Sequence, residues 1–223
     1  MQGLDVTPKE HDELLQQVRT AHRLLAAYYQ RLLPSIERIA TELDTKYYFW
    51  KPDKFNSPSA TSNPFIKWKW DLLPAISTLY MFENIDNGKS IKIGDYLVSF
   101  SVDSDTSVKV GKTEPDGLEL PKSIDTAESL ICIGIYTPFT NEQSHWRFDI
   151  WEKGAYPDYQ DINTPFNCIP DVKGCSIVSC GIKVSISQLM SEKGIEALIS
   201  RLQELLDDAL KTAKDKAEEL KAN

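Results

Sequence analysis

Residues 8–44 carry the strongest structural signal in the chain, PKEHDELLQQVRTAHRLLAAYYQRLLPSIERIATELD. Proline suits the first position of a helix, and Thr7 with Glu10 forms a capping box around it. Apolar residues then recur at alternating steps of four and three, the spacing by which helices pack on one another. They are Leu14, Val18, Ala21, Leu25, Tyr28 and Leu32, and the stripe is widened by Leu15, Tyr29 and Leu33. The pattern predicts a long amphipathic helix over residues 8–44, kinked or broken at Pro34, because proline lacks the N–H that a helix interior needs.

A second long helix is predicted at the other end of the chain, over residues 188–221. Ser187 or Ser191 is a candidate cap, and Gly194 is a candidate break after the first turn. Its apolar residues recur at steps of three and four, from Ile195 to Leu220. Because the two helices have matched lengths and matched stripes, we expect them to pack side by side. The alternative is that part of the seam is offered to another subunit or partner.

Between the helices the hydrophobic period changes to two, which indicates β-strands. Residues 96–102, 146–150 and 178–186 alternate apolar and polar side chains, as strands with one covered face do. Residues 130–136 are apolar on both faces, which is typical of a central strand. These segments indicate a mostly antiparallel sheet.

The predicted fold class is α+β. A sheet of about five to seven strands over residues 89–186 is packed on one face by the two terminal helices, and its other face is left free for contacts. A chain of 223 residues can bury one sizeable core, so residues 1–223 are expected to form a single domain. In that domain the C-terminal helix occupies residues 187–223.

One segment of the sheet region, residues 71–186, allows more than one interpretation. Residues 71–86 fit a helix capped by Asp71 or a hairpin through Asn87-Gly88, and the helix is favoured. Further along, Ser104-Asp105 is a predicted turn, with Val108 and Val110 on a return strand.

The chain is acidic, with a net charge of −8, but its charge is unevenly distributed. Residues 46–70 hold five lysines and one aspartate, so a basic segment lies in an acidic protein. The overall acidity discourages indiscriminate binding to polyanions and suits a basic protein partner. The four cysteines show no Cys-x-x-Cys spacing, no apolar run approaches a membrane span, and no signal peptide is evident. We therefore expect a cytoplasmic protein that does not enter a membrane.

The basic aromatic segment, residues 46–70, is the first candidate binding site. Aromatic faces stack on unpaired bases while lysines neutralise phosphates, and an exposed loop at residues 57–63 separates its two aromatic runs. In an extended strand, however, alternate residues face opposite ways, so an aromatic strand with buried rings and solvated lysines is the alternative. The candidate residues are Lys46, Trp50, Lys51, Lys54, Lys67, Trp68, Lys69 and Trp70.

A possible metal-dependent catalytic site is the second candidate. Pro157-Asp158 followed by Asp171-Val172-Lys173 superficially resembles the PD-(D/E)xK arrangement of nucleases. In that arrangement two carboxylates hold a divalent cation and a lysine stabilises charge. The second carboxylate should lie on a strand, whereas Pro170 and Gly174 here indicate a turn. Asp158, Asp171 and Lys173 therefore remain an alternative catalytic set, and no cofactor or metal is otherwise expected.

The sequence favours a non-enzymatic interaction protein. In the absence of a catalytic motif, the acidic α+β scaffold is expected to engage a protein partner or to self-associate, as a subunit or neutraliser of a larger complex. A nucleic-acid or nucleotide-binding module using residues 46–70 is the first alternative, and a metal-dependent nuclease or hydrolase is the second.

Overall fold

The computed structural model describes residues 8–53, 74–85, 91–108, 124–141, 157–161, 169–170 and 176–222. The helices in these ranges are α1 (Pro8–Glu42) and α2 (Glu192–Ala222), with short 3-10 helices at Pro74–Ile76 and Ile186–Met190. The strands are β1 (Lys46–Pro52), β2 (Ser77–Asn84), β3 (Tyr96–Asp103), β4 (Leu130–Pro138), β5 (Gln160–Asp161), β6 (Ile169–Pro170) and β7 (Ile177–Ser185). The predicted α+β class is confirmed.

The described strands form one seven-stranded, mostly antiparallel sheet in the order β1-β2-β3-β4-β7-β5, with β6 also paired to β7. Only β5 runs parallel to its neighbour among the described pairs. The strands predicted at 96–102, 130–136 and 178–186 are β3, β4 and β7. The strand predicted at 146–150 lies outside the described residues.

The sheet begins earlier than residue 89, because β1 and β2 precede it in the chain. The helix favoured for residues 71–86 is wrong, since residues 77–84 form β2 and pair in continuous register with β3, from Ser77 opposite Asp103 to Asn84 opposite Tyr96. The segment is a strand, as the hairpin alternative required, while the proposed turn at Asn87-Gly88 lies outside the described residues. β2 buries Leu79 and Met81 on one face and Phe82 on the other, so its apolar residues show no two-residue period.

The turn predicted at Ser104-Asp105 is present, but the return strand is not found at Val108. The Asp105 carboxylate accepts hydrogen bonds from the Ser107 N–H at 2.9 Å and from the Ser107 hydroxyl at 2.6 Å. Val108 lies in irregular structure, and Val110 is outside the described residues. The strand that pairs with β3 on this side is β4.

One face of the sheet packs against both helices and forms the main core. Alternate residues of β3, β4 and β7 meet the apolar stripes of α1 and α2, and each fully buried aliphatic side chain stabilises the fold by about 1.5–3 kcal/mol. The most enclosed members are Val98, Phe100, Ile131, Ile133, Ile135 and Ile182 from the sheet, Leu32 and Ile39 from α1, and Leu198 and Leu202 from α2.

The opposite face of the sheet is also largely buried, so the expectation of a free face is wrong. Leu79, Met81, Leu97 and Tyr136 belong to a second apolar cluster on this side. The chain packs so closely here that a Cβ added at Gly181 would lie 2.6 Å from the Tyr159 ring. Contacts with other molecules must therefore be sought elsewhere.

Helix α1 runs without interruption through Pro34, so the helix is not broken there, and the predicted kink stays a prediction. The neighbouring turns are held by packing, since Leu32 and Ile36 are both buried against the sheet. Ser35 adds a polar contact, because its hydroxyl lies 3.0 Å from the carbonyl oxygen of Leu189. Tertiary contacts thus offset the hydrogen bond that the proline ring removes from the helix.

The C-terminal end of α1 is closed by a Schellman motif that uses Asp44 in place of glycine. Asp44 adopts a positive φ of 52°, its N–H bonds the carbonyl of Thr41 at 2.9 Å, and the Thr45 N–H bonds the carbonyl of Ala40 at 3.1 Å. The chain then enters β1. Outside groups bond the last carbonyls: the Tyr96 hydroxyl donates to Leu43 at 2.7 Å, and the Asn84 amide donates to Asp44 at 2.6 Å.

Helix α1 is longer than the sheet that it covers. Its 35 residues span about 52 Å, whereas nine-residue strands such as β4 span about 30 Å. Contacts with α2 involve the C-terminal part of α1, where Arg38 pairs with Glu192 at 2.6 Å and Gln203 donates to the Glu42 carbonyl at 3.3 Å. The expected side-by-side packing is therefore wrong for the first half of α1.

Helix α2 begins at Glu192, one turn later than predicted. Ser191 separates it from the 3-10 helix that precedes it, whereas Gly194 was the predicted break. The Ser191 hydroxyl accepts from the Gly194 N–H at 3.2 Å and caps α2, after a 3-10 turn that contains Gln188. Gly194 lies inside the helix, and a Cβ placed there would lie 2.2 Å from the Gln188 carbonyl oxygen. The glycine allows the 3-10 turn to approach the first turn of α2.

We predict that Gly194→Ala destabilises the protein by about 1–3 kcal/mol, because the backbone at Gln188 must move to admit the methyl group. Helix propensity alone predicts the opposite sign, a gain of about 1 kcal/mol. Urea denaturation measures the difference, and Ser200→Ala on the exposed side of the same helix is the control. A Gly194→Ala protein as stable as the wild type would contradict the close contact.

Candidate functional site

The first half of α1 projects from the body of the protein as an arm, here defined as residues 11–27, and every one of these residues is exposed. Its apolar stripe, Leu14, Val18, Ala21 and Leu25, continues the face of α1 that is buried further along. Leu14 is 57% exposed and Leu25 46%, whereas Leu32 on the same face is 0% exposed. Leu15 and Leu24 beside the stripe are also more than half exposed. A contiguous apolar surface of this kind marks an interaction site.

The charges of the arm are separated along its axis. Asp12 and Glu13 lie near its N-terminal end, and Arg19 and Arg23 lie one to three turns further on. The acidic end adjoins the positive pole of the helix dipole, which stabilises negative charge there. The arm therefore has an acidic end and a basic middle, and these charges lie on the sides of the helix away from its apolar stripe.

Two tyrosines fix the position at which the arm leaves the body. The Tyr28 hydroxyl lies 3.0 Å from the Ser104 hydroxyl, and the Tyr29 hydroxyl donates to the Ala75 carbonyl at 2.7 Å. The two rings also contact each other edge to face, with their centroids 5.0 Å apart. These bonds tie α1 to the end of β3 and to the start of β2.

An aromatic pocket lies directly beyond this point, between α1 and the strands β1 and β2. Its volume is about 470 Å³, within the range of small-molecule sites. The walls are mostly apolar and come from α1, from β1, and from β2 with the 3-10 helix that precedes it. They consist of Tyr29, Leu33, Ile36, Glu37, Tyr47, Trp50, Ala75, Thr78, Tyr80 and Phe82.

The rings of the pocket are arranged by cross-strand pairing. Trp50 pairs with Tyr80 across β1 and β2, and their rings stack at a centroid distance of 6.4 Å. Tyr47 meets Phe82 edge to face at 5.9 Å. Trp50 and Tyr47 remain 52% and 59% exposed, so both present ring surface at the mouth of the pocket. Tyr29 and Leu33, which widen the apolar stripe of α1 in the sequence, form one wall of the pocket.

Two polar groups distinguish the pocket from a plain apolar groove. Glu37 is exposed at its edge, and it is the one charged side chain among the residues that line the pocket. Thr78 is 1% exposed, and its hydroxyl has no hydrogen-bond partner in the described part of the chain. A buried hydroxyl without a partner costs free energy, so this atom is a candidate contact for a ligand.

Trp50 is the one proposed binding residue that the structure places in this pocket. Strand β1 turns Lys46 and Lys51 to the opposite face, where they pair with Glu83 and Leu79 of β2. The lysines and the tryptophan of β1 therefore do not form one surface, as stacking on a nucleic acid would require. The other proposed residues lie outside the described ranges: Lys54, Lys67, Trp68, Lys69 and Trp70.

Of the three residues proposed for a metal-dependent catalytic site, one lies in the part of the chain that the structure describes. Asp158 is exposed in irregular structure, and Asp171 and Lys173 lie outside the described ranges. The residues that the structure describes contain no group of three or more His, Cys, Asp or Glu side chains placed to hold a metal ion. Of the two long helices described, neither α1 nor α2 combines the length and the apolar character that a membrane crossing requires.

The fold and its surfaces define an α+β protein whose sheet carries two helices on one face, one of them extended as an arm. A sequence model of the PM0109 family matches residues 8–211, so the chain belongs to the PM0109 family. It is 25% identical over 210 residues to the uncharacterized protein PM0109 of Pasteurella multocida (strain Pm70), covering 90% of this chain and 97% of that relative. No solved structure matches the chain significantly. The matched residues include the arm and both strands of the pocket.

Tyr29 gives the pocket wall a pH dependence. Burial, with smaller contributions from Tyr28 and Tyr80, raises the pKa of Tyr29 to about 12 from its ordinary 10.0. The fold therefore favours the neutral phenol. The stability that follows is fully present below pH 10 and is lost as the pH rises towards 12.

We expect the free energy of unfolding to fall less between about pH 9 and pH 11.5 in Tyr29→Phe than in the wild type, because the variant has no phenol to ionise at this position. Urea denaturation at the two pH values measures the change. Tyr47→Phe, at an exposed position, is the control and should follow the wild type. An equal fall in Tyr29→Phe and wild type would refute the assignment.

Proposed function

We propose that the protein is a non-enzymatic interaction protein that self-associates through the arm of α1. The observation that carries this proposal is the uncovered apolar stripe, which continues the buried face of α1 for about 25 Å beyond the sheet. The 4–3 spacing of Leu14, Val18, Ala21 and Leu25 is the spacing of a two-helix seam. A second copy of the chain supplies a matching stripe.

Two copies of the stripe can pair in register. An antiparallel pair with Leu14 opposite Leu25 of the second copy also places Val18 opposite Ala21. The acidic and basic side chains of the arm lie at least about 100° around the helix axis from the stripe, so they stay in solvent. The pairing therefore rests on apolar contacts and not on ion pairs.

The expected association is weak. Leu14, Val18 and Leu25 are 57%, 44% and 46% exposed, so covering each of them contributes about 1 kcal/mol. Two copies therefore gain about 6 kcal/mol from these side chains, and at most about 4 kcal/mol more from Leu15 and Leu24 at the edges. Because association costs at least about 4 kcal/mol in lost freedom, at most about 6 kcal/mol remains, and we expect a reversible dimer with a Kd of roughly 50 μM or weaker.

The proposal includes a cytoplasmic location and no nucleic-acid partner. Cys132 and Cys180 are both in the reduced thiol form, which is typical of a reducing compartment. Nucleic-acid binding through residues 46–70 is not proposed, because β1 separates its lysines from Trp50.

We predict that Leu14→Lys/Leu25→Lys abolishes the dimer while the monomer remains folded, since both residues are exposed and lysine is as good a helix former as leucine. Sedimentation velocity over about 10 μM to 1 mM should show the mass of the wild type rising from the chain mass of 25.3 kDa towards twice that value. The control is Gln16→Lys/Ala27→Lys, which adds the same charges at the same spacing on the other side of the arm. A wild type that stays monomeric, or a control that loses the dimer equally, would disprove self-association through the stripe.

A further inference from the structure

The aromatic pocket between α1 and β1–β2 lies outside the arm. It is formed by residues of three segments and has the volume of a small-molecule site, about 470 Å³. Five of its lining residues are aromatic, and two of these, Tyr47 and Trp50, are exposed at the mouth. An edge strand with two exposed aromatic rings beside a pocket is a surface that gains from being covered by a ligand.

We propose that this pocket binds an organic ammonium cation, a positively charged nitrogen that carries alkyl groups. The faces of aromatic rings are electron-rich and attract a cation held within about 6 Å of the ring centre, tryptophan most strongly. The Glu37 carboxylate adds negative charge at the edge of the pocket, and none of the lining residues is cationic. The charge of the site is therefore complementary to a cation with an apolar surface.

Thr78 supplies a polar contact for the body of such a ligand. Its hydroxyl is buried in the pocket wall and has no partner in the described part of the chain. It accepts from an N–H or O–H of the ligand or donates to a ligand oxygen, so a bound polar group would satisfy it. A purely apolar ligand would fill the same space, but it would form no hydrogen bond with this hydroxyl and no charge interaction with the Glu37 carboxylate.

The experiment compares choline with its neutral isostere 3,3-dimethylbutan-1-ol, in which carbon replaces the charged nitrogen. Both have the same shape and one hydroxyl group, so they differ in charge alone. Titrations followed by ¹H–¹⁵N NMR on the full chain report on the Trp50 indole and the Thr78 amide. Choline should shift both signals and bind about tenfold or more tightly than the isostere.

Two variants at exposed glutamates of α1 assign the effect to the pocket. Glu37→Gln should lower the affinity for choline several-fold and leave that for the isostere unchanged, because it removes charge and keeps shape. Glu42→Gln, on the same helix but outside the pocket lining, is the matched control and should leave both affinities unchanged.

Three results would overturn the proposal. The first is equal binding of choline and the isostere, which would make the pocket a site for neutral apolar ligands. The second is no shift of Trp50 or Thr78 with either compound up to about 50 mM. The third is a choline affinity that Glu37→Gln and Glu42→Gln reduce alike, which would indicate attraction to the acidic protein as a whole.

Discussion

The C-terminal end of α1 is held to the sheet by side chains that bond its last carbonyl oxygens. Tyr96 from β3, Asn84 from β2 and Gln203 from α2 donate to the carbonyls of Leu43, Asp44 and Glu42. These carbonyls have no acceptor role inside the helix, so bonding them from three different elements fixes both the end point and the direction of α1. The second half of the helix then lies along the sheet, completes the core and forms one wall of the pocket. The first half, lying beyond the sheet, projects as the arm.

One helix therefore carries two surfaces of different chemistry. The arm presents Leu14, Val18 and Leu25 in a seam that suits another helix, while Tyr29, Leu33 and Glu37 face the rings of β1 and β2. The Tyr28–Tyr29 contact stands between them and ties α1 to Ser104 and Ala75. Because this boundary is held by hydrogen bonds, the pocket wall stays in place whether or not the arm is covered.

Much of the fold could be predicted from the sequence, and the exceptions have physical reasons. β3 and β7 alternate clearly, and both end helices show a period of 3.6. β2 shows no such alternation, because its apolar residues occupy both faces of the strand: Leu79, Tyr80, Met81 and Phe82. A continuous apolar run of this kind does not distinguish a strand from a helix. In β1 a bulge between Tyr47 and Phe49 interrupts the alternation. An exposed apolar stripe has the same sequence pattern as a buried one. The available sign that part of α1 is exposed is that the predicted helix is longer than the predicted strands. The pocket combines three segments, and Thr78 has no local sequence pattern that would reveal its position.

Pro34 gives the arm a mechanical property that follows from its place in the helix. A proline here leaves the Gln30 carbonyl without its intrahelical donor, so bending of α1 would be easiest at this turn. The turn is held on both sides, because Leu32 and Ile36 are buried in the core and the Tyr29 hydroxyl is hydrogen-bonded to the body of the protein. The hinge that the proline could provide is therefore locked, and the arm meets a partner as a stiff rod of about 25 Å with a fixed direction relative to the sheet.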